Sequence, residues 1–209
     1  MDGTVPRRAS RVNGWLGHRS AKPIAFVLAC LPFAWLVFAA FTDRLGANPA
    51  EALIRSLGEW TLRFLVLVLA ITPLRTTLGW PALLRLRRMV GLFVFFYACI
   101  HLLAYAAFDM EFDLAAVAAD VIKRPFILVG FLAWLLLLPL AATSFNRAIR
   151  ALGARRWQWL HRLVYMIAVL AVLHFFWMRS GKNNFAEVGV YAAILGSLLA
   201  WRLWRRLRA

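Results

Sequence analysis

Acidic residues are scarce in this chain: nine Asp and Glu stand against 25 Lys and Arg in 209 residues, and there are only two cysteines, Cys30 and Cys99. Both cysteines lie in apolar runs, where they read as small apolar filler rather than as a disulfide or redox pair. The sequence contains no GxGxxG, so it has no built-in dinucleotide fingerprint. Long polar linkers are also missing, and no segment resembles a separate soluble domain. The net charge of +16 would suit a nucleic-acid partner. The arginines, however, fall in short clusters between long apolar runs, a pattern that membrane anchoring explains and phosphate binding does not.

What is present is apolar. Hydrophobic residues make up 63% of the chain and the mean hydropathy is +0.72, more than a soluble domain of this length could bury. Six runs are long enough to cross a hydrocarbon core, which takes roughly 20 helical residues. They cover residues 23–42, 57–74, 89–108, 126–143, 159–178 and 188–204. The second is the weakest of the six, because Glu59 and Arg63 lie in its first turns. Pro73, Pro125 and Pro139 fall near helix ends, where a missing backbone donor does least harm. The run from Ile24 to Phe41 is too long for a signal-peptide core and lacks an evident cleavage site. The expectation is an all-α integral membrane protein: a basic tail at 1–22, one six-helix bundle at 23–204 and a basic tail at 205–209.

Charge gives the orientation. With the N-terminus inside, eighteen of the 25 basic residues fall in the inner tails and loops, against seven outside: Arg44, Arg55, Arg63, Lys123, Arg124, Arg179 and Lys182. The positive-inside rule then places both termini in the cytoplasm.

Three of the four histidines lie in spans. His161 and His174 are thirteen residues apart in the fifth, which is about 20 Å along a helix, so they cannot share one metal. His101 lies in the third span, which runs in the same direction, at a depth close to that of His174. Two imidazoles from different helices, level with each other and flanked by Phe95, Phe96, Tyr97, Phe175, Phe176 and Trp177, are what a b-type haem requires. Covalent c-type attachment is excluded, because there is no CxxCH. The plainer alternative is that each histidine hydrogen-bonds a backbone carbonyl of a neighbouring helix. His18, in the basic tail, reads as solvated. Thirteen residues at 100° each turn about 220°, so a straight helix would aim His161 and His174 at different sides. Either the helix is distorted, for example by a π-bulge, or the two rings serve different faces.

The stretches LRLRRMVGLFVFFYACIHLLAY (84–105), KRPFILVGFLAWLLLLPLAATS (123–144), LGARRWQWLHRLVY (152–165) and LHFFW (173–177), in this order over six spans, resemble the ferric reductase-like transmembrane family. The resemblance is specifically to its bacterial haem-binding members. It implies a multi-pass inner-membrane protein that binds one or two haem b groups. Such a protein passes electrons from quinol, or from a cytosolic flavin reductase, to MsrP. MsrP is a periplasmic molybdopterin enzyme that reduces methionine sulfoxide in oxidised proteins, a repair reaction. FMN is a further cofactor the resemblance brings in, and no catalytic residue is expected in the chain itself.

Carried over residue by residue, His101, His161 and His174 are the iron-binding candidates. Family members with built-in NADPH sites carry two histidines on each of two helices. Here Arg87 stands fourteen residues before His101, where the second would be. Arginine is a poor iron ligand, so Arg87 or Arg88 is expected to clamp a propionate or a flavin phosphate beside His161, or simply to anchor the helix end. Arg63, level with His101, is a candidate for a propionate of the outer haem; the alternative is an ion-pair ladder with Arg55 and Glu59. The loop carrying Asp109, Glu111, Asp113 and Asp120 is either solvated or a docking surface for the periplasmic partner. Two other functions stay open: a stand-alone ferric or oxygen reductase, and a non-redox transporter or scaffold with structural histidines.

Overall fold

A computed structural model describes residues 7–180 and 185–208, so Asp2 and Lys182, both counted in the charge balance, lie outside the described residues. The described residues contain helices and no strand, and six helices are long and apolar enough to cross a membrane. The all-α six-span architecture expected from the sequence is the one found.

The spanning helices are α2 (Ala21–Phe41), α3 (Pro49–Thr77), α4 (Leu84–Phe108), α6 (Pro125–Ala142), α9 (Leu163–Ser180) and α10 (Ala186–Leu207). The short helix α1 (Arg7–Gly17) precedes them, and three others join them: α5 (Leu114–Lys123), α7 (Asn146–Leu152) and α8 (Ala154–Leu160). A 3₁₀ turn at Pro81–Leu83 leads into α4. The weakest expected span is the longest helix. It starts at Pro49, with Asn48 capping the amide of Glu51, because its charged first turns pair among themselves: Arg55 and Arg63 each reach Glu59 at 3.0 Å. Within the expected basic tail, α1 packs on the 3₁₀ turn, where Asn13 accepts from the amide of Ala82 at 2.9 Å and Arg85 donates to the carbonyl of Gly17.

The core lies mainly between α3 and α4, and α6 pairs chiefly with α9. Large side chains such as Phe26, Leu31, Trp35, Leu67, Leu103 and Val169 point outward. In water such a surface would be a liability; around a bundle in lipid it is the solvent-facing side. At one end, the acidic end, the loops carry Asp43, Asp109, Glu111 and Asp113. At the opposite, basic end the buried Arg202 of α10 donates to the carbonyls of Leu198 at 2.9 Å and Leu69, tying α10 to α3.

Tyr97 is 0% exposed and repairs a helix other than its own. Pro32 lies inside α2, and one residue further on Tyr97 bridges the Phe33 amide and the Ala29 carbonyl. Phe33 N–H donates to Tyr97 Oη at 3.1 Å, and the Tyr97 hydroxyl donates to the Ala29 carbonyl at 2.8 Å. A side chain inserted into the ladder in this way is a recognised origin of helix bends. Tyr97→Phe leaves both backbone groups without that bridge, which should cost about 1–3 kcal/mol. The expected result is a lower melting temperature in detergent; an unchanged one would show that α2 straightens at no cost.

The fifth span is not one continuous helix. His161 ends α8, and the bonds Arg162 N–H to Trp159 O (3.1 Å), Val164 N–H to His161 O (3.4 Å) and Tyr165 N–H to Arg162 O (3.0 Å) all close over three residues. The distortion is therefore a tightened 3₁₀ turn, not a π-bulge. It turns the chain further per residue, which offsets part of the phase difference between His161 and His174.

Candidate functional site

His101 on α4 and His174 on α9 face each other with ring centroids 6.4 Å apart and planes at 73°. They share a cavity of about 530 Å³ enclosed by α3, α4, α5, α6 and α9, a volume typical of a small-molecule or cofactor site. Its wall is largely apolar, with Leu65, Val94, Trp134, Leu137, Ile167 and Phe175 among the lining residues.

One device seats both rings. His101 Nδ1 lies 2.8 Å from the carbonyl of Ile54, and one helical turn later Gly58 leaves room for the ring: a Cβ there would sit 3.1 Å from His101 Cε1. His174 Nδ1 lies 2.7 Å from the carbonyl of Phe126, and four residues on is Gly130, where a Cβ would sit 2.8 Å from both Cε1 and Nδ1 of His174. A carbonyl only accepts, so Nδ1 carries the proton in each ring and Nε2 keeps its lone pair. Among the described residues neither Nε2 has a hydrogen-bond partner. The plain role of intramembrane histidines, bonding a neighbouring helix, is therefore fulfilled through Nδ1, and it leaves Nε2 free to ligate.

These residues fit a metal held between two imidazoles. Bonds of about 2 Å on opposite sides of one ion bring ring centres roughly 6 Å apart, and the observed separation is 6.4 Å.

The arginines on the cavity wall are Arg55, Arg124 and Arg179. Arg63, the candidate for a propionate of the outer haem, does not line it. Its guanidinium is held by Glu59 at 3.0 Å and lies 4.6 Å over the Trp60 ring, so the ladder with Arg55 and Glu59 is what forms. Arg124 is tied to Asp120 at 2.8 Å, and Asp120 accepts from the Tyr105 hydroxyl at 2.7 Å. Beside them burial pushes the Asp109 carboxyl above its usual range.

His161 is far from this pair, near the basic end. Its Nδ1 lies 3.1 Å from the Trp157 carbonyl, its ring stacks on Trp157 at 3.9 Å, and its buried Nε2 has no partner. Arg88 is engaged by Asn146 at 2.5 Å, while Arg87 remains half-buried on the same turn of α4. Sequence reasoning missed Gly58, Gly130, Arg124 and Arg179. A lone glycine inside an apolar helix costs about 1 kcal/mol relative to alanine, and that was the available sign of a close approach at 58 and 130.

Fold and site together define a multi-pass helical membrane protein built around two metal-competent imidazoles facing across an apolar cavity. Residues 57–172, more than half of the chain, match the family described as "Ferric reductase like transmembrane component", and the chain belongs to that family. The resemblance drawn from the histidine-bearing stretches is borne out. Within the family the chain is 65% identical over 190 residues to the protein-methionine-sulfoxide reductase heme-binding subunit MsrQ of Polaromonas naphthalenivorans, covering 91% of this chain and 87% of that one. It is 51% identical over 183 residues to the MsrQ of Herminiimonas arsenicoxydans, with 88% and 84% covered. With the MsrQ of Rhodospirillum rubrum the identity is 51% over 185 residues, covering 88% of each chain. No solved structure matches.

Proposed function

We propose that this chain is the haem b-binding membrane subunit of a protein-methionine-sulfoxide reductase system. In this reading it sits in a bacterial inner membrane with both termini cytoplasmic, takes electrons from quinol or a cytosolic flavin reductase, and delivers them to periplasmic MsrP. The observation that carries the reading is the pair of alike-seated imidazoles, His101 and His174, whose ring centroids lie 6.4 Å apart and whose Nε2 atoms have no hydrogen-bond partner among the described residues. The names of the relatives support the haem and the reductase; the basic clusters at the end bearing the described chain termini support the orientation.

A haem b held there supplies a one-electron couple without exchanging protein ligands. His101 and His174 would hold it through Nε2, and the carbonyls of Ile54 and Phe126 fix which nitrogen each presents. Trp134, Phe175 and the aliphatic wall would give the macrocycle an apolar slot, and Arg55 and Arg124, now paired with Glu59 and Asp120, would be the cationic partners for its carboxylates. At the basic end the unpartnered Nε2 of His161, with Arg87 nearby, supports a second site for haem or FMN.

A visible spectrum of the purified protein tests both parts. The expected result is a Soret band with dithionite-sensitive α bands, and a His161→Ala variant that loses haem or flavin content while keeping the bis-imidazole signal. Full-length folded protein without a Soret band would end the haem reading; unchanged cofactor content in His161→Ala would end the inner site.

A further inference from the structure

Arg179 is 6% exposed, the most buried charged residue among those described. It lies on α9 five residues beyond His174, toward the acidic end. Its Nη2 meets Glu187 Oε2 of α10 at 2.5 Å and Glu59 Oε1 of α3 at 3.6 Å, and its guanidinium lies 5.3 Å over the Phe175 ring. Burying a charge this deeply is tolerated only when it is paired. Which groups do the pairing is the informative point.

Glu59 directly follows Gly58, the residue that makes room for the His101 ring, and Ile54, whose carbonyl fixes that ring, is one turn earlier on the same helix. The Arg179 to Glu59 contact therefore joins the helix that carries His174 to the helix against which His101 is seated. α3 and α9 otherwise have little direct packing: each leans on α10, on α4 or on α6, with the cavity between them. We infer that the Arg179–Glu59 pair is a brace across the cavity that sets the gap between the two imidazoles, with Glu187 holding the guanidinium in place. Arg179 and Glu59 are positioning residues, because they act through the histidines and not on the bound group. This inference rests on the haem reading for its consequence, but not for its geometry.

Arginine suits the role because its planar fork can engage two carboxylates at once, whereas lysine offers a compact point charge. Removing the tie should act as loss of an outer-shell contact does at metal sites, where affinity falls by about 10- to 100-fold. Arg179→Gln and Glu59→Gln are each expected to weaken haem retention to that extent and to shift the low-spin electron paramagnetic resonance signal. The double variant should lose less than the sum of the two single losses, because the two share the Arg179–Glu59 contact, while Glu59 also holds Arg55 and Arg63 and Arg179 also holds Glu187. Arg179→Lys should lie between wild type and Arg179→Gln. An ion pair with a merely structural role would lower the melting temperature and leave the low-spin signal unmoved. An unshifted signal in Arg179→Gln, or in Arg179→Lys if the glutamine variant does not assemble, overturns the brace.

The haem-free protein gives an independent reading. Spin labels at Leu67 of α3 and Val169 of α9, both outward-facing, in full-length reconstituted protein without other cysteines, should report a longer or broader distance distribution in Arg179→Gln than in the parent. Identical distributions would overturn the brace even if no haem is ever found. A shifted distribution in a protein without a Soret band would sustain the brace and reject the haem reading.

Discussion

Replacing either His101 or His174 with alanine should abolish the bis-imidazole low-spin signal and cut electron delivery to the reductase partner by about 100-fold or more, since loss of an outer-shell contact alone costs about 10- to 100-fold. The fold should survive. Each histidine bonds a carbonyl inside another helix, Ile54 in α3 and Phe126 in α6, and each of those carbonyls keeps its own helical position when the imidazole is gone. The cost of truncation to the protein is then one hydrogen bond, about 0.5–1.5 kcal/mol, plus the space the ring filled. That asymmetry separates a ligand from a structural histidine. If the two rings were only helix-to-helix pins, both variants would melt earlier and retain the full spectrum, and the double variant would melt earlier still. If they are ligands, the double variant should lose no more low-spin signal than either single one.

The depth and helix of each histidine were legible from the sequence, because membrane spans are long apolar runs and the rise per residue is fixed. Six spans and the level placement of His101 and His174 follow from that alone. What the sequence could not supply is helical phase relative to neighbours. Arg63 shares a depth with His101 and a helix with the cavity wall, yet Glu59 and Trp60 hold its guanidinium aside, while Arg179, which counted only as an outer basic charge, turns into the bundle. The start of α3 at Pro49 was hidden because isolated charges weigh against a span, and the pairing of Arg55 and Arg63 with Glu59 that admits them is a three-dimensional fact. The short helices α1 and α5 were missed for the opposite reason: they are too brief and too mixed to stand out as apolar runs. The phase conflict between His161 and His174 was visible as a conflict. Its resolution, a 3₁₀ turn at His161 and Arg162, depends on backbone bonds that no residue type announces.

Gly130→Ala should separate stability from cofactor binding more sharply than any ligand substitution. Gly130 lies inside α6, where alanine is the better helix former by about 0.5–1 kcal/mol, so on propensity alone the variant should be at least as stable as the parent. Its new Cβ, however, would stand 2.8 Å from Cε1 and Nδ1 of His174 and 3.1 Å from Cγ, closer than nonbonded carbon atoms approach at their optimum of about 3.5–4.0 Å. The ring is at the end of a side chain and can move, but moving it gives up the 2.7 Å bond to Phe126 that fixes Nδ1 as the protonated nitrogen. The imidazole then loses both its tautomer preference and its aim into the cavity. Haem retention is expected to fall by about 10- to 100-fold, with a melting temperature of the haem-free protein close to that of the parent, because the gain in helix propensity and the lost hydrogen bond are of similar size. Gly58→Ala is the internal comparison. There the contacts would be 3.1 Å to Cε1 and 3.3 Å to Nδ1 of His101, which a shift of a few tenths of an ångström relieves, so its loss should be clearly smaller. Equal retention in Gly130→Ala and the parent, measured by haem titration of the two purified proteins, would show that the glycine serves the helix and not the histidine. A larger defect at Gly58 than at Gly130 would show that the two seats are not filled in the manner these distances describe.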